Sequence, residues 1–355
     1  MNKSLLTLAV GLLGVAVTQA QPVEITLTGA TAFRGDAYNA VRASFNPGFS
    51  QNPVSGASAN QVTWTGTMPA FGARPVTVRA GYSGSTAGIQ SLTLNANVAF
   101  LLSSTPGVTT ITNQPADFAF SDVFQASSAF LSPTLEDNTA GVIPFVFVRG
   151  STGSASLTSI TAQNARGIFN LGYFPLFVLT GNPADVAGGE IVNIVGRNSG
   201  SGTRAATLSE IGLGPIATVL QRKVVSGNWV DDAVGFSSNS LIPAALNSGV
   251  ATSAEGPGGA IGYLDLNDAN LVVAGGGAML QYDGVTFSKD AVRHGKYTLW
   301  TYEHLMNRTG LPADETTFRA TLLAQIDSDL ATSVSAIQTS SMIVSRLADG
   351  STVTP

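Results

Sequence analysis

The chain has 355 residues, of which 44% are apolar and 11% charged, with a formal net charge of −5 and a pI near 5.0. About a quarter of the residues of a typical globular protein are charged, so this composition excludes a disordered chain, a coiled coil and a basic nucleic-acid binder. Any anion held here must be held locally, against the sign of the whole molecule. The sequence contains no cysteine, which removes disulfides, thiolate metal sites, a cysteine nucleophile and a lipid-modified cysteine.

In chain order the first element is a leader. Lys3 precedes an apolar run over residues 5–17, and Thr18-Gln19-Ala20 places small residues where a signal peptidase cleaves. The run is shorter than the ~20 residues of a membrane span. We expect residues 1–20 to be removed on export, leaving a periplasmic or secreted chain with no membrane span.

Residues 23–28 alternate as a strand, Gly29-Ala30-Thr31 turns, and residues 36–45 put Tyr38, Val41 and Phe45 on one helical face. Strand, glycine turn and helix open a parallel α/β unit. Residues 46–67 read as loop with a hairpin. A strand at 76–78 runs on to a glycine- and serine-rich turn at 81–88, and a short strand at 118–120 ends in Ser121-Asp122. Residues 142–148 are apolar enough for a central strand, and 160–169 read as helix. The strand at 190–196 runs directly into Arg197-Asn198-Ser199-Gly200-Ser201-Gly202-Thr203. A helix follows, with Ala205, Leu208 and Ile211 on one face and Gly212 as its stop. A strand at 260–264 and a tail helix carrying Phe318, Leu322, Leu323, Ile326 and Leu330 complete the pattern.

Three strand ends thus meet glycine- and hydroxyl-rich turns that start helices: Gly29-Ala30-Thr31, Gly84-Ser85-Thr86 and Gly200-Ser201-Gly202-Thr203. A helix N-terminus presents unpaired N–H groups and roughly half a positive charge, which suits an anion. One such turn is ordinary helix capping. Three in one α/β chain, with Arg197 just before the third, point to a tetrahedral oxyanion gripped by a planar guanidinium. No Gly-Lys-Ser/Thr closes the third turn, so it is not a P-loop. The only histidines are His294 and His304, expected to be exposed or capping, and no Gly-x-Ser-x-Gly elbow accompanies them. We therefore expect neither an enzyme nor a cofactor. Asp265-Leu266-Asn267-Asp268 lacks the glycine and closing glutamate of a calcium loop and reads as a turn. Trp300 and Tyr302 read as packing residues, and Asn307-Arg308-Thr309 is a glycosylation sequon by spelling.

These segments, in this order, resemble the phosphate-binding proteins of the periplasmic substrate-binding superfamily, the receptors of phosphate ABC importers. Leu27-Thr28-Gly29-Ala30-Thr31-Ala32-Phe33 resembles that family's LTGAGATF turn, and Gly84-Ser85-Thr86-Ala87-Gly88 its GSSGG turn. Phe118-Ala119-Phe120-Ser121-Asp122 resembles FGASD, and Arg197 to Thr203 resembles RADGSGT. Gly259-Ala260-Ile261-Gly262-Tyr263 matches GAIGY letter for letter, and Val292-Arg293-His294-Gly295-Lys296-Tyr297 resembles a late segment of many relatives.

The resemblance implies an α/β fold of two lobes, each a mostly parallel sheet flanked by helices, with the anion in the cleft. It places lobe 1 at residues 21–145 plus 264–355 and lobe 2 at 146–263. It implies a monomer that binds inorganic phosphate and delivers it to an ABC permease. Carried onto this chain, Arg197 is the bidentate cation, with Ser201, Gly202 and Thr203 donating beside it and Ser85 donating from the first half. Thr31 or Ala32 contacts the anion from the opening turn, which is one residue short. Asp122 accepts a proton-borne hydrogen bond that phosphate offers and sulfate does not. The family's acidic residue two positions after the arginine is Ser199 here, which leaves a freer Arg197 as the expectation. Two alternatives stay open: a secreted relative that serves no transporter, acting as scavenger or surface protein, and a receptor for another oxyanion.

Overall fold

The computed structural model describes residues 21–355; the leader expected over residues 1–20 lies outside the described residues. Strand β1 (Val23–Gly29) leads to α1 (Arg34–Ala43), then β2 (Ser50–Asn52), β3 (Gln61–Gly66) and β4 (Val76–Tyr82). Helix α2 (Ser85–Thr93) precedes a hairpin of β5 (Asn97–Leu101) and β6 (Ile111–Pro115), and then β7 (Phe118–Ser121). The long β8 (Glu136–Arg149) is followed by α3 (Ala162–Leu171), β9 (Tyr173–Pro175), β10 (Ile191–Val195) and α4 (Gly202–Glu210). Strand β11 (Ala260–Asp265) runs into α5 (Leu266–Ala274); β12 (Trp300–Asn307) and α6 (Ala313–Leu330) follow.

The main sheet runs β9-β10-β11-β8-β12-β7-β1-β4-β3-β2. Within it, parallel pairing is confined to β4-β1-β7 and to β10-β11. Those strands read as continuous apolar runs because helices or loops cover both faces. Their carboxyl ends are where the three capping turns sit.

Strand β8 joins the two halves of the sheet. Its residues from Glu136 to Pro144 pair with β12, and those from Phe145 to Arg149 pair with β11. Pro144, with no N–H to give a ladder, stands at the changeover. Phe145, Val146, Phe147 and Val148 are wholly buried, as an apolar central run demands. The strand extends six residues earlier than its apolar run because the polar start, Glu136 to Thr139, is registered against β12.

The tail helix is as expected: Phe318, Leu322, Ile326 and Leu330 are buried, with Leu323 packed against the core from its margin. Gly29, at φ +103°, closes β1 where an added Cβ would stand 1.9 Å from the Phe120 carbonyl oxygen. Only glycine fits that approach.

One reading of this stretch changes. Trp300 and Tyr302 pack on a strand, β12, which β7 and β8 flank, and this makes His304 wholly buried rather than exposed or capping. Its ring Nδ1 bonds Asp137 at 2.8 Å and its ring lies 4.4 Å from that of Phe124. His294 is exposed and caps the short helix Lys289–Arg293, as expected. Asn307 is buried, bonded to Glu136, and therefore no glycosylation acceptor in the folded chain.

Candidate functional site

Because β1, β4 and β7 are parallel, their ends bring Thr31, Ser85 and Asp122 to one rim of the sheet, and β10 delivers Arg197 and α4 from the other half. Helices α2 and α4 meet N-terminus to N-terminus. Thr86 and Ala87 donate backbone N–H groups to the Gly200 carbonyl at 3.1 and 3.3 Å, and the Thr86 hydroxyl donates to the Ser199 carbonyl at 3.0 Å. A Cβ at Gly202 would stand 2.2 Å from Ser85 Oγ and 2.9 Å from Asp122 Oδ2. The small residues in these turns are what allow two helix starts to touch.

A buried polar knot fills the contact. The Asp122 N–H donates to Ser85 Oγ at 3.1 Å, and Thr203 Oγ1 donates to Asp122 Oδ2 at 3.2 Å. Asn239 Nδ2 donates to Thr203 Oγ1 at 3.2 Å and to Asp265 Oδ2 at 2.8 Å. Asp265 in turn caps α5 through the N–H groups of Asn267 and Asp268. Arg197 donates through Nη1 to Asn239 Oδ1, through Nε to the Phe236 carbonyl and through Nη2 to the Ser237 carbonyl. Its own N–H is held by the Tyr263 hydroxyl at 3.0 Å.

The structure therefore brings Ser85, Asp122, Arg197, Ser201, Gly202 and Thr203 together. Thr31 and Ala32 are buried beside them and line an adjoining cleft, but no hydrogen bond among the described residues links them to the knot. The expectation of a freer Arg197 does not hold. With Ser199 in the acidic position, Asn239 and two carbonyls take over the restraint of the guanidinium.

Several groups remain unpaired. Among the described residues the backbone N–H groups of Ser85, Gly202 and Thr203, the first turns of α2 and α4, find no protein acceptor. Ser201 Oγ accepts from the Arg204 N–H as the cap of α4, which leaves its own proton to give. On the acceptor side, Asp122 Oδ1 receives no N–H or hydroxyl from the described residues, and Glu303 lies buried against Asp122.

Burial is the main cause of the shifts in this region. It raises the Asp122 pKa, an effect that contacts with Glu303, Arg197 and Thr203 oppose. It raises Glu303 well above the usual carboxylate range, with the Asp122 charge adding to it, so Glu303 keeps a proton and shares it with Asp122. Burial lowers Arg197 to about 10, against the attraction of Tyr263, Asp122 and Asp265.

Sequence reasoning misses Asn239 and Glu303 as site residues. Asp265, read there as part of a turn, instead closes β11 and caps α5. Asn239 lies in a serine-rich loop and Glu303 in a strand pattern, with no spacing to mark either.

No protein-family model matches the chain, and no curated protein matches it. Among solved structures it is similar to a Clostridium perfringens protein described as a phosphate ABC transporter substrate-binding protein with bound phosphate. That match has a TM-score of 0.53 at 13% identity, over 89% of this chain and 99% of the other. An ABC-type phosphate transport receptor from Vibrio cholerae aligns at TM-score 0.47 and 18% identity, over 84% of this chain and 93% of the other. A Synechocystis regulatory domain in complex with 2-PG aligns at TM-score 0.45 and 13% identity, over 85% and 96% of the two chains. At these identities the likeness is one of fold. The chain has the two-lobed α/β fold of that Clostridium perfringens protein.

Proposed function

We propose that this chain binds inorganic phosphate outside the cytoplasm, between its two lobes, for delivery to an ABC-type importer. The observation that carries the reading is the convergence of the α2 and α4 starts, with three unpaired N–H groups and a buried guanidinium, on one buried carboxylate. The N–H groups of Ser85, Gly202 and Thr203 and the Ser85 and Ser201 hydroxyls supply donors, and Arg197 supplies charge. Thr31 or Ala32 closes the site from α1. Asp122 is the single acceptor, suited to the proton that phosphate keeps near neutral pH. A fully ionised oxyanion brings Asp122 only like charge in a dry site, where phosphate also brings a donor.

The lobes, in this reading, divide along β8. Residues 264–299, expected in lobe 1, are assigned in this reading to lobe 2, because Ala278–Met279 pairs with the end of β8 and α5 packs on β11. Chain crossings then fall near Phe145 and Leu299. Thr86 to Ser199 and Gly200, and Thr203 to Asp122, are direct bonds between lobes, so entry of an anion requires hinge opening.

A second reading, a secreted relative serving no transporter, is favoured by those same bonds, since Arg197, Thr86 and Thr203 are satisfied within the chain. Calorimetric titration of residues 21–355 with phosphate and then sulfate separates the two. Arg197→Ala should weaken phosphate binding by about 3–5 kcal/mol, roughly two to four decades. Equal heat from sulfate overturns the role of Asp122 and points to another oxyanion. No heat from either anion moves the assignment to the second reading.

A further inference from the structure

Thr31 and Ala32 also form one wall of a cleft of ≈ 1070 Å³ between α1 and α5. Pockets for drug-sized ligands run to about 300–1,000 Å³, so this space far exceeds what one tetrahedral anion needs. The facing wall carries Asp265, Asn267 and Asp268, and Asp36, Arg42 and Asp329 also line the cleft. Asp265 bonds Asn239, and Asn239 bonds Thr203. The cleft therefore opens one side chain away from the anion knot.

Arg34, the first residue of α1, is only 5% exposed. One N–H donates to Asn60. Its other guanidinium donors have no protein acceptor among the described residues, and none of them is sealed from solvent; they open into the cleft that Arg34 lines. A guanidinium carries five donors, and burying it is unfavourable unless they are met. Burial lowers the Arg34 pKa, and Asp268 and Asp265 on the far wall counter that by favouring the charged form. Asp268 is itself pushed up to about 8 by burial and by its neighbour Asp265, so near pH 7 it can donate as well as accept.

This charge pattern selects among occupants. A second anionic group would face Asp36, Asp265, Asp268 and Asp329, and a cationic one would face Arg34 and Arg42. An uncharged group with neighbouring hydroxyls gives acceptors to Arg34 and donors to the carboxyls. We infer that the cleft takes the hydroxyl-bearing part of a polyol or sugar phosphate, with its phosphoryl end in the knot and Arg34 and Asp268 as its polar contacts. This inference rests on the phosphate reading above.

The test is calorimetry of residues 21–355 at pH 6, where phosphate monoesters still carry a proton on a large share of molecules (second pKa about 6). Inorganic phosphate is compared with glycerol 3-phosphate and glucose 6-phosphate, on the wild type, Arg34→Met and Asn267→Trp. Asn267 is an exposed residue of the cleft wall, so tryptophan there fills the cleft without disturbing the core. We expect at least one ester to bind about tenfold more tightly than inorganic phosphate. Both variants should abolish that preference and leave inorganic phosphate unaffected. If phosphate binds and neither ester binds more tightly, this inference is overturned and the phosphate reading stands. A preference that survives Asn267→Trp overturns the placement in the cleft even if Arg34→Met fails to fold. If neither phosphate nor ester binds, both readings fall.

Discussion

Glu303→Gln offers a direct test of the electrostatics beneath the site. Glu303 sits on β12, wholly buried, with Asp122 as its neighbour. Burial and the Asp122 charge raise its pKa, Asp36 adds to the effect, and a Ser121 backbone N–H opposes it. The folded protein therefore holds a proton that the unfolded chain releases above its ordinary value near 4.5. Below that pH both states are protonated and the residue has no pH-dependent effect. Above it the unfolded state binds fewer protons, so stability falls as pH rises, by about 1.4 kcal/mol per unit for one proton, until the folded value is passed.

Glutamine keeps the shape, can donate to Asp122 and cannot ionise, so this slope disappears. The variant should thus gain on the wild type steadily between pH 5 and pH 7.5, reaching up to ~3.5 kcal/mol if the folded pKa lies above that window. Asp122 is also raised by burial. Its slope is present in both proteins and largely cancels in the difference. Thermal melting at half-unit pH intervals reads the effect, at roughly 2 °C or less per kcal/mol for a chain of this length. An equal difference in melting temperature at pH 5 and pH 7.5 would refute the reasoning, because it would mean that Glu303 is ionised in the folded state.

Three substitutions probe the knot and the turns. Gly202→Ala puts a methyl 2.2 Å from Ser85 Oγ and 2.9 Å from Asp122 Oδ2. It should cost about 1–3 kcal/mol in a denaturant melt and pry α2 from α4, with loss of phosphate heat; an unchanged midpoint contradicts the close contact. Gly29→Ala meets the Phe120 carbonyl at 1.9 Å on a φ of +103°. It should destabilise by about 4 kcal/mol or more, visible as loss of soluble, cooperatively melting protein. Asn239→Ala leaves Arg197 Nη1 and Asp265 Oδ2 without their partner. It should lower stability by about 1–3 kcal/mol and weaken phosphate binding, because the guanidinium is no longer held in place.

What the chain reveals of itself follows the range of the forces involved. The apolar run at Phe145 to Val148 is a local fact, and it places a central strand. Where that strand begins depends on Glu136 finding its register against β12, far along the chain, and no local pattern shows it. The glycines at 29, 84 and 202 are legible because each marks a backbone approach that excludes a side chain, and the turns at 84 and 202 hold Ser85, Ser201, Gly202 and Thr203 of the knot. His304 misleads for the opposite reason. A histidine on an alternating strand looks half-exposed until β7 and β8 close on either side and Phe124 covers the ring. Asn239 is the clearest loss: its importance lies wholly in reaching Arg197, Thr203 and Asp265 at once, and an asparagine among serines carries no trace of that.

The surroundings of the knot constrain what it can bind more tightly than any motif does. Asp122, Glu303, Asp265 and Asp268 gather around two guanidiniums, Arg197 and Arg34, inside a molecule whose formal charge is already negative. In the phosphate reading proposed above, an anion that brings no proton adds charge to this buried acidic set, whereas one that brings a proton offers Asp122 a donor while the helix starts and Arg197 meet its remaining oxygens. That reading predicts a preference for inorganic phosphate, which keeps a proton near neutral pH, over sulfate, which is ionised throughout this range.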